Sequence, residues 1–538
     1  MVAQRDLVLV SFCFVGAFSS ACLDPDARKH DSAEVDTDAD ADADADTDTD
    51  TDTGPLDADG DGWTVAGGDC DDGLAEVHPG AEEVCNNGLD DDCDGDPEDC
   101  ALPASASLGD IEIRWSGAAG EWAGWDLDGA GDVDGDGFAD AVIGGGAVYL
   151  IPGGPLPAGG SLAAAISYTQ PTGTGRNDEL GRAVAGLGDF DGDGFDDIAG
   201  GAPDWWNGED SVGCAYLFLG SADPEGGTAD DIAVRYEGSG SESQQVGDAL
   251  AGVGDVNGDG LADMLVGAPH WGPSPTPDRG AAYLVLGTRS PGGGALDTVA
   301  LRFEGESDQQ AGISLAGAGD VNGDGLADFL VGAPYERNAT GAAHLILGST
   351  APSGGVLSSA DARFWSDTAG DMAGYGLSGA GDANGDGYAD ILMGLHGTER
   401  PGAAVLFLGA STMVGRNIEA ADARFDGSGQ EQAGIGVAGP GDMNRDGYDD
   451  LLIGAGLNND AGTWAGAAYL VLGAPELSGR ALAEAETKLT GESSNDHAGY
   501  AVAGASDMNA DGTPDLLVGA FGRDAYAGAA YLVLGVAE

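Results

Sequence analysis

Basic residues are scarce in this sequence. Its 538 residues include 19 Lys and Arg against 94 Asp and Glu, which gives a formal charge of -75 at pH 7. A surface this anionic repels the phosphates of nucleic acid, so we expect no nucleic-acid partner. Cations are the ligands that such a composition favours. The 42% hydrophobic content nevertheless predicts that most of the chain folds.

Long apolar runs are missing after the N-terminus, so no membrane-spanning helix is predicted. Residues 1–21 carry Arg5, a short apolar run and small residues before Cys22. This pattern predicts an export signal, with a buried N-terminal helix as the alternative. The ending "FSSAC" resembles a bacterial lipoprotein signal, which implies lipidation of Cys22 and a cell-surface or outer-membrane location in the bacterial envelope. Ser19 departs from the usual aliphatic residue, which leaves ordinary cleavage and secretion open.

Residues 22–54 have almost nothing to bury. From Val35 onward, Asp alternates with Ala or Thr, so the segment repels itself and is expected to be a disordered, extended acidic tether. At roughly 3.3 Å per residue, it could hold the following domain up to about 110 Å from a surface. A solubilising spacer with no anchor is the alternative.

Cysteine is also rare, and four of the seven residues fall within residues 55–100. In an exported chain, Cys70, Cys85, Cys93 and Cys100 predict two disulfides, with all three pairings open. The same segment is rich in carboxylates, which suit Ca²⁺ better than zinc. The candidate ligands are Asp57, Asp59, Asp61, Asp69 and Asp71.

The stretches "DCDD", "HPGAEEVC" and "DDDCDG" in this segment resemble the Asp- and Cys-rich metal-binding module of bacterial surface proteins. A disulfide knot whose carboxylates are only solvated is the alternative, and a four-thiolate zinc site is less favoured in an oxidising compartment.

The rest of the chain is periodic. "GDVNGDGLADMLVGAP" at 254–269 returns at 319–334 with one letter changed, and the underlying Asp motif occurs seven times, 57 to 66 residues apart. Each unit contains four strand candidates, typified by "RFEG", "AGxxLAGxGD", "LADxLVGAP" and "GAAYLVLG".

Four short antiparallel strands repeated seven times predict an all-β fold, a seven-bladed β-propeller over residues 108–538. The first unit opens with the outer strand "DIEIRWSG" and the last ends at Leu534, so the N-terminal strand should pair with the C-terminal blade and hide both sheet edges. An open β-solenoid is the alternative, although its repeats are usually shorter.

The units "GAGDVNGDGLADFLVGAP" and their relatives resemble FG-GAP repeats, the units of the integrin α-subunit propeller. The resemblance covers roughly residues 110–535, and three copies end in a literal Gly-Ala-Pro. It implies that the Asp loops lie on the bottom face of the ring, and that the loops after Gly-Ala-Pro and "RFEG" lie on the top.

Each Asp loop is predicted to hold a calcium ion through side chains at positions 1, 3, 5 and 9 and a carbonyl at position 7, with Gly at position 6 allowing the bend. The predicted ligands of copies 1 and 2 are Asp132, Asp134, Asp136, Phe138 and Asp140, then Asp189, Asp191, Asp193, Phe195 and Asp197. Those of copies 3, 4 and 5 are Asp255, Asn257, Asp259, Leu261, Asp263, Asp320, Asn322, Asp324, Leu326, Asp328, Asp382, Asn384, Asp386, Tyr388 and Asp390. Those of copies 6 and 7 are Asp442, Asn444, Asp446, Tyr448, Asp450, Asp507, Asn509, Asp511, Thr513 and Asp515.

The copies are not equivalent. Copies 1 and 2 have Asp at position 3 and should bind tightest, whereas copies 6 and 7, with Arg445, Ala510 and Pro514, should bind weakest. Turn capping is the alternative role, but it needs one or two acidic residues per loop. With a dissociation constant near 10⁻⁴ M and about 1 mM free Ca²⁺, each site contributes about 1.4 kcal/mol, so the ions are predicted to be mainly structural.

Catalytic motifs are missing too, since the six His residues do not recur at one position of the repeat. No catalytic residue is predicted, and a propeller hydrolase is the least favoured function. Two binding functions compete: adhesion to a surface protein, as the integrin resemblance implies, and a lectin that uses Trp205, Trp206 and Trp271 as sugar platforms. The candidate ligand-binding residues are Trp205, Trp206, Trp271, Tyr335 and Trp464. Covering the top of the core is their alternative role.

Overall fold

A computed structural model describes residues 104–111, 113–170, 177–239, 243–272, 278–306, 308–397 and 401–535, and, before these, Trp63, Cys70, Leu74, 77–79 and Cys93. The predicted signal, tether and lipidation site at Cys22 lie outside the described residues. The same holds for the predicted ligands and cysteines Asp57, Asp59, Asp61, Asp69, Asp71, Cys85 and Cys100.

Seven antiparallel sheets of four principal strands form the blades, numbered here by the Asp loop that each contains. The innermost strands are Leu127–Gly131, Val184–Gly188, Leu250–Gly254, Leu315–Gly319, Ala373–Gly381, Ala433–Gly441 and Val502–Ser506. The second strands are Asp140–Gly144, Asp197–Ala202, Asp263–Ala268, Asp328–Ala333, Asp390–Leu395, Asp450–Ala455 and Asp515–Gly519.

The third and outer strands complete each blade. The third strands are Val148–Ile151, Cys214–Phe218, Ala281–Val285, Ala342–Ile346, Ala403–Phe407, Ala467–Val471 and Ala529–Val533. The outer strands of blades 1 to 6 are Ile166–Thr169, Val234–Glu237, Leu301–Glu304, Ala362–Trp365, Ala423–Asp426 and Thr487–Thr490. The predicted seven-bladed propeller is confirmed.

The core of the propeller lies between blades. The described residues form seven apolar clusters, one at each interface of neighbouring blades. Every residue of the second strand Asp263–Ala268 and of the third strand Ala281–Val285 is buried. Because both faces of each sheet pack against a neighbour, these strands are continuously apolar and do not alternate.

The N-terminal strand closes the ring, as predicted. Arg114–Ser116 is the outer strand of blade 7 and pairs antiparallel with Ala529–Val533. Ser105–Ser107 pairs in parallel with Thr487–Thr490 of blade 6, so the ordered sheet begins slightly ahead of the predicted residue 108. Residues 105–116 therefore pair with strands of two blades, 6 and 7.

A fifth strand in most blades was not predicted. Each connection from a third to an outer strand lays a short segment in parallel against the outer strand of the preceding blade. These segments are Gly160–Ser161, Gly227–Thr228, Gly294–Ala295, Gly355–Val356 and Arg480–Ala481. They protect the outer edge of the sheet, which would otherwise be unpaired.

Among the described residues, helical structure is limited to single turns. The α-helical turns are Ala229–Ile232 and Leu296–Val299, and the 3₁₀ turns are Leu108–Asp110, Leu162–Ala164, Leu357–Ser359, Ile418–Ala420 and Leu482–Glu484. The turns Glu336–Ala339 and Arg523–Tyr526 contain left-handed residues. In the part of the chain that the structure describes, no helix has the length and apolarity to cross a bilayer.

One disulfide joins Cys70 to Cys93 in the Cys-rich segment, with the two Cα atoms 5.5 Å apart. Beside it, Val77 is buried and its N–H donates to the Leu74 carbonyl, while the rings of Trp63 and His78 stack with centroids 6.3 Å apart. The pairing of Cys70 with Cys93 establishes one disulfide of the segment, and the remaining cysteines, Cys85 and Cys100, lie outside the described residues.

Candidate functional site

The seven Asp loops connect the innermost strand of each blade to the second strand, so they all lie at one end of the ring. Each follows a β-bulge near the end of the innermost strand, as between Gly252 and Gly254 in blade 3. A bulge turns the strand and re-aims the residues that follow it. The fold therefore repeats one loop geometry seven times on what we call the bottom face.

The first Asp of the loop holds the turn together. In blade 3, Asp255 Oδ1 accepts from the Gly258 N–H at 2.6 Å, and its Oδ2 accepts from the Gly260 N–H at 2.7 Å. Position 5 contributes similarly, since Asp259 Oδ1 accepts from the Leu261 N–H at 3.0 Å. These bonds keep the carboxylates of positions 1 and 5 directed at the concave side of the loop.

The Asp at position 9 is buried and has a different set of partners. Asp263 Oδ2 accepts from the Val256 N–H at 3.0 Å, and its Oδ1 accepts from the Gly287 N–H at 2.7 Å. The equivalent residues Asp140, Asp197, Asp328, Asp390, Asp450 and Asp515 make the same two bonds. Each position-9 carboxylate thus ties its loop to the end of the third strand.

Burial makes the ionised form of these side chains costly. It raises the pKa of Asp263 and Asp328 to about 6 and that of Asp140, Asp197, Asp390, Asp450 and Asp515 to about 7. Backbone N–H donors oppose the shift, but desolvation is the larger effect. A cation in the loop would favour the ionised form.

Sequence reasoning missed the glycine that follows each third strand. Gly287 donates to Asp263, and a Cβ on it would lie 2.4 Å from the Ala262 carbonyl oxygen. The invariant Gly in "YLVLG" was the available signal, because only glycine permits so close a backbone approach.

Carboxylates converge most closely in the first two loops. One oxygen from each of Asp132, Asp134 and Asp136 lies within 4.8 Å of the others, and the same is true of Asp189, Asp191 and Asp197. These are the two loops with Asp at position 3. A cluster of hard oxygen donors at this spacing fits a divalent cation of the size of Ca²⁺.

Loops with Asn at position 3 are arranged differently. In loops 4 to 7 the Asn Nδ2 donates to the position-5 carboxylate, as from Asn322 to Asp324 at 3.0 Å. Asn at position 3 therefore adds no charge beside the position-5 carboxylate, whereas Asp134 and Asp191 each add a second carboxylate there. In keeping with this, burial and then the neighbouring position-5 Asp raise the pKa of Asp134 and of Asp191.

Backbone hydrogen bonds link the loops of neighbouring blades. The N–H at position 8 donates to the position-1 carbonyl of the preceding loop, as from Ala262 to Asp189 at 3.0 Å. The same bond is made from Ala139, Asp196, Ala327, Ala389 and Asp449. Pro514 has no N–H, so the loops of blades 6 and 7 lack it.

Arg445 spans that gap. Its guanidinium donates to the Asp511 carbonyl and lies 3.5 Å from Asp511 Oδ1. Two of the three residues that the sequence marked as weakening loops 6 and 7, Arg445 and Pro514, therefore form one arrangement, in which a side chain replaces a backbone bond. It also places a positive charge beside a predicted ligand of loop 7.

The predicted ligand-binding aromatics on the opposite, top face fall into two groups. Trp205 and Trp271 are half-buried, and each is covered by an arginine of the outer strand, with Arg235 Cζ 4.5 Å and Arg302 Cζ 4.4 Å from the ring centroids. Trp206 is also half-buried. Tyr335 and Trp464 are exposed, so these two present free surface.

The ring axis encloses a cavity of about 550 Å³, lined by all seven innermost strands. Asp126 and Asp128 of blade 1 line it and accept from the N–H groups of Val184 at 2.8 Å and Gly186 at 3.1 Å in blade 2. Arg182, at the top of this channel, stacks its guanidinium 4.6 Å from the Trp125 ring centroid. Sequence reasoning did not identify this pair of carboxylates, because their partners are backbone groups of another blade.

Two family models match the chain. An FG-GAP repeat model matches residues 180–209, 246–285 and 311–346, which lie in blades 2, 3 and 4. A model described as "Putative metal-binding motif" matches residues 69–99, the segment that holds the Cys70–Cys93 disulfide. The chain therefore contains FG-GAP repeats and, N-terminal to the propeller, a metal-binding motif of this type.

Similar proteins include integrin alpha chains. Integrin alpha pat-2 of Caenorhabditis briggsae is 34% identical over 239 residues, 40% of this chain and 18% of the relative. Integrin alpha-7 of Rattus norvegicus is 37% identical over 143 residues (26% and 12%), and integrin alpha-4 of Xenopus laevis is 29% identical over 203 residues (37% and 18%). This chain thus spans less than a fifth of the length of these relatives.

Proposed function

We propose that this chain is an exported, calcium-stabilised binding protein of the adhesion type, in which the top-face loops of an integrin-alpha-like propeller bind a protein ligand at a cell surface. The proposal rests on a difference between the two ends of the ring. One end repeats a single Asp loop seven times, and the other end carries loops that differ from blade to blade.

Calcium suits the bottom loops because all predicted ligands are carboxylate, amide or carbonyl oxygens on a flexible turn. The ions stabilise the ring, since each loop is tied to its own third strand and to the neighbouring blade. Because the ions bind the folded ring, their binding free energy at the seven loops adds to its stability. The top face, which binds the ligand, is thereby held rigid although the ions lie in the bottom loops.

The top loops suit recognition because side chains on a rigid ring lose little entropy on binding. Exposed Tyr335 and Trp464 offer flat apolar surface of the kind that dominates protein interfaces. The integrin alpha relatives support a protein ligand over the other candidates.

Bead adhesion tests this function. Beads coated with the full chain in millimolar Ca²⁺ are expected to adhere to intact cells, and protease treatment of the cell surface should abolish adhesion. Beads coated with heat-denatured chain are the matched control. Adhesion that equals this control, or that survives protease treatment, contradicts the proposal.

A lectin is the second candidate, favoured by the exposed ring of Trp464. Its signature would be adhesion that survives protease, is lost after glycosidase treatment, and is reproduced on a glycan array. A Trp464→Ala variant should then lose glycan binding.

A further inference from the structure

A left-handed backbone conformation recurs at equivalent positions on the top face of the ring. In every blade, one residue close to the start of the innermost strand, two positions before a glycine, has a left-handed backbone, with φ between 48° and 59°. These residues are Trp122, Glu179, Gln245, Gln310, Met372, Gln432 and His497. Because the conformation recurs seven times, it belongs to the fold, and only the side chain varies.

A second left-handed position precedes the third strand in blades 3, 4, 6 and 7. It is occupied by Asp278, Ala339, Trp464 and Tyr526. Short parallel bridges place it beside the first position of the next blade, as between Gly528 and Ala123 or between Gly466 and Ala498. The boundaries that follow blades 3, 4, 6 and 7 therefore each present a pair of neighbouring side chains on the top face.

Aromatic rings occupy these positions in only one part of the ring. Blades 6, 7 and 1 carry Trp464, His497, Tyr526 and Trp122, whereas the other first positions hold Glu, Gln or Met. Phe521 joins them: its ring centroid lies 5.0 Å from His497 and 5.9 Å from Trp122. We call these five residues the aromatic sector.

The outer rings of the aromatic sector are accessible. Trp122, Trp464 and Tyr526 are 41%, 47% and 44% exposed. Trp122 and Tyr526 stack with centroids 5.1 Å apart, and Trp464 lies 6.0 Å from His497. The three exposed rings thus belong to one aromatic cluster, which is joined through His497 and the buried Phe521.

Carboxylates accompany these rings and face solvent. Asp524 lies two residues before Tyr526, and its side chain is 68% exposed while that of its partner Arg523 is 14% exposed. Asp460 is in the loop of Trp464, and its side chain is 70% exposed against 21% for its partner Lys488. In both ion pairs the acid is the outward member, so carboxylate oxygens are accessible to a ligand beside the rings.

In two other blades, an aromatic ring and a carboxylate are also combined, and in both the guanidinium of an arginine lies on the ring. Arg235 lies over Trp205 and pairs with Asp230, and Arg302 lies over Trp271 and pairs with Asp297. Both are aromatic, cation and carboxylate triads built within a single blade. At Trp122, Trp464 and Tyr526 the described residues supply the ring and the acid but no stacked cation.

We propose that the aromatic sector binds a basic segment of the protein ligand, with Arg or Lys side chains stacked on Trp122, Trp464 and Tyr526 and paired with Asp460 and Asp524. Cation–π attraction and the exposed carboxylates both favour such a partner, as does the formal charge of -75. This inference rests on the proposed function, and it adds the location of the site and the chemistry of the ligand.

A peptide-binding measurement tests the sector directly. The probe is a labelled peptide of four Gly-Ser-Arg units, and the same peptide with citrulline in place of Arg is the uncharged control. With the full chain in millimolar Ca²⁺, we expect Trp122→Gln and Tyr526→Ala each to weaken Arg-peptide binding about five-fold. Both changes install residues that other blades carry at the same position, so the fold should be unaffected.

Gln310→Ala, at the equivalent position of blade 4, is the matched control and should stay within about two-fold of wild type. The citrulline peptide should bind at least about ten-fold more weakly than the Arg peptide. Equal binding of the two peptides, equal binding by all variants with unchanged melting temperatures, or loss of binding only in Gln310→Ala would overturn the inference. Competition by neutral glycans would overturn it in favour of a lectin.

The bead assay separates failure of the sector from failure of the function. If wild-type beads adhere and Trp122→Gln beads adhere equally well, the aromatic sector is not the binding site, and the proposed adhesion function stands. If wild-type beads do not adhere, the proposed function fails whatever the peptide shows.

Discussion

At the scale of the residue, aspartate occurs in three distinct structural environments in this protein. At loop positions 1 and 5 it is partly exposed and directed at the concave side of the loop, as in Asp255 and Asp259. At position 9 it is buried and bonded to two backbone N–H groups, as in Asp263. In the axial channel, Asp126 and Asp128 bind the neighbouring blade.

The sequence predicted the loop positions because their spacing recurs seven times. It could not predict the partners of Asp263, since Gly287 lies a whole strand away and becomes a neighbour only after the sheet forms. Nor could it predict that Arg235 and Arg302 cover Trp205 and Trp271, because that depends on how the outer strand lies against the top loops.

Two substitutions in loop 3 separate structure from metal binding. Asp263→Ala leaves the Val256 and Gly287 N–H groups buried without a partner, so we expect a loss of about 2 to 4 kcal/mol of unfolding free energy. That loss should appear with calcium and with chelator. Denaturant unfolding in both conditions measures it.

Asp259→Ala is the matched variant, because position 5 is exposed and water can replace the bond from the Leu261 N–H that the substitution removes. It should cost about 1 kcal/mol in millimolar calcium and close to nothing in chelator. Equal losses for Asp259→Ala in the two conditions would refute a ligand role for this side chain.

The axial carboxylates predict a pH dependence. Burial raises the pKa of Asp128 from 3.8 to about 7, and the Asp126 charge beside it acts in the same direction. A raised native pKa means that the neutral form stabilises the fold below pH 3.8, and that this stabilisation is lost as the pH rises through about 7. Asp128→Asn keeps a neutral acceptor for the Gly186 N–H.

The Asp128→Asn variant should therefore melt at a higher temperature than wild type at pH 8 and at a similar temperature near pH 4.5. Thermal melts at the two pH values check this. A variant that is less stable than wild type at pH 8 would show that the ionised carboxylate is needed there.

At the scale of the element, the bottom loops form a belt in which each is bonded to the next. The belt is interrupted at Pro514, and Arg445 bridges the interruption through Asp511. The strands and loops were predictable from short strand-like segments and an Asp motif that recur in every unit, whereas the belt was not, because it consists of single backbone bonds between blades. The two-residue fifth strands are too short to leave a pattern.

A double-mutant cycle tests the bridge. Arg445→Ala should cost about 1 kcal/mol, a modest amount because the side chain is partly exposed. In a Pro514→Ala background the backbone N–H returns, and the same change should cost less. Costs that are equal in the two backgrounds would show that Arg445 does not replace the missing bond.

At the scale of the whole molecule, the N-terminal strand holds the ring closed. Trp115 on this strand is buried in the cluster between blades 7 and 1, and its Nε1 donates to the Ala158 carbonyl at 3.1 Å. The sequence predicted this closure from the phase of the repeat. It did not predict the added pairing of Ser105–Ser107 with blade 6.

Trp115→Ala should destabilise the propeller by about 3 to 5 kcal/mol, since it removes a buried aromatic side chain from the closing strand. A fall of the unfolding midpoint measures it. Trp122→Gln is the matched control, because Trp122 is exposed and should leave the midpoint nearly unchanged. If the midpoints of both variants stay at the wild-type value, the closing strand does not limit stability.

Our central proposal for the molecule is that calcium ions bound in the seven bottom loops stabilise the ring. The most direct test is the melting temperature of the full chain at pH 7.5 in 1 mM calcium and in excess chelator. The account predicts a sharp fall on chelation, which readdition of calcium reverses. An unchanged melting temperature in excess chelator would contradict it.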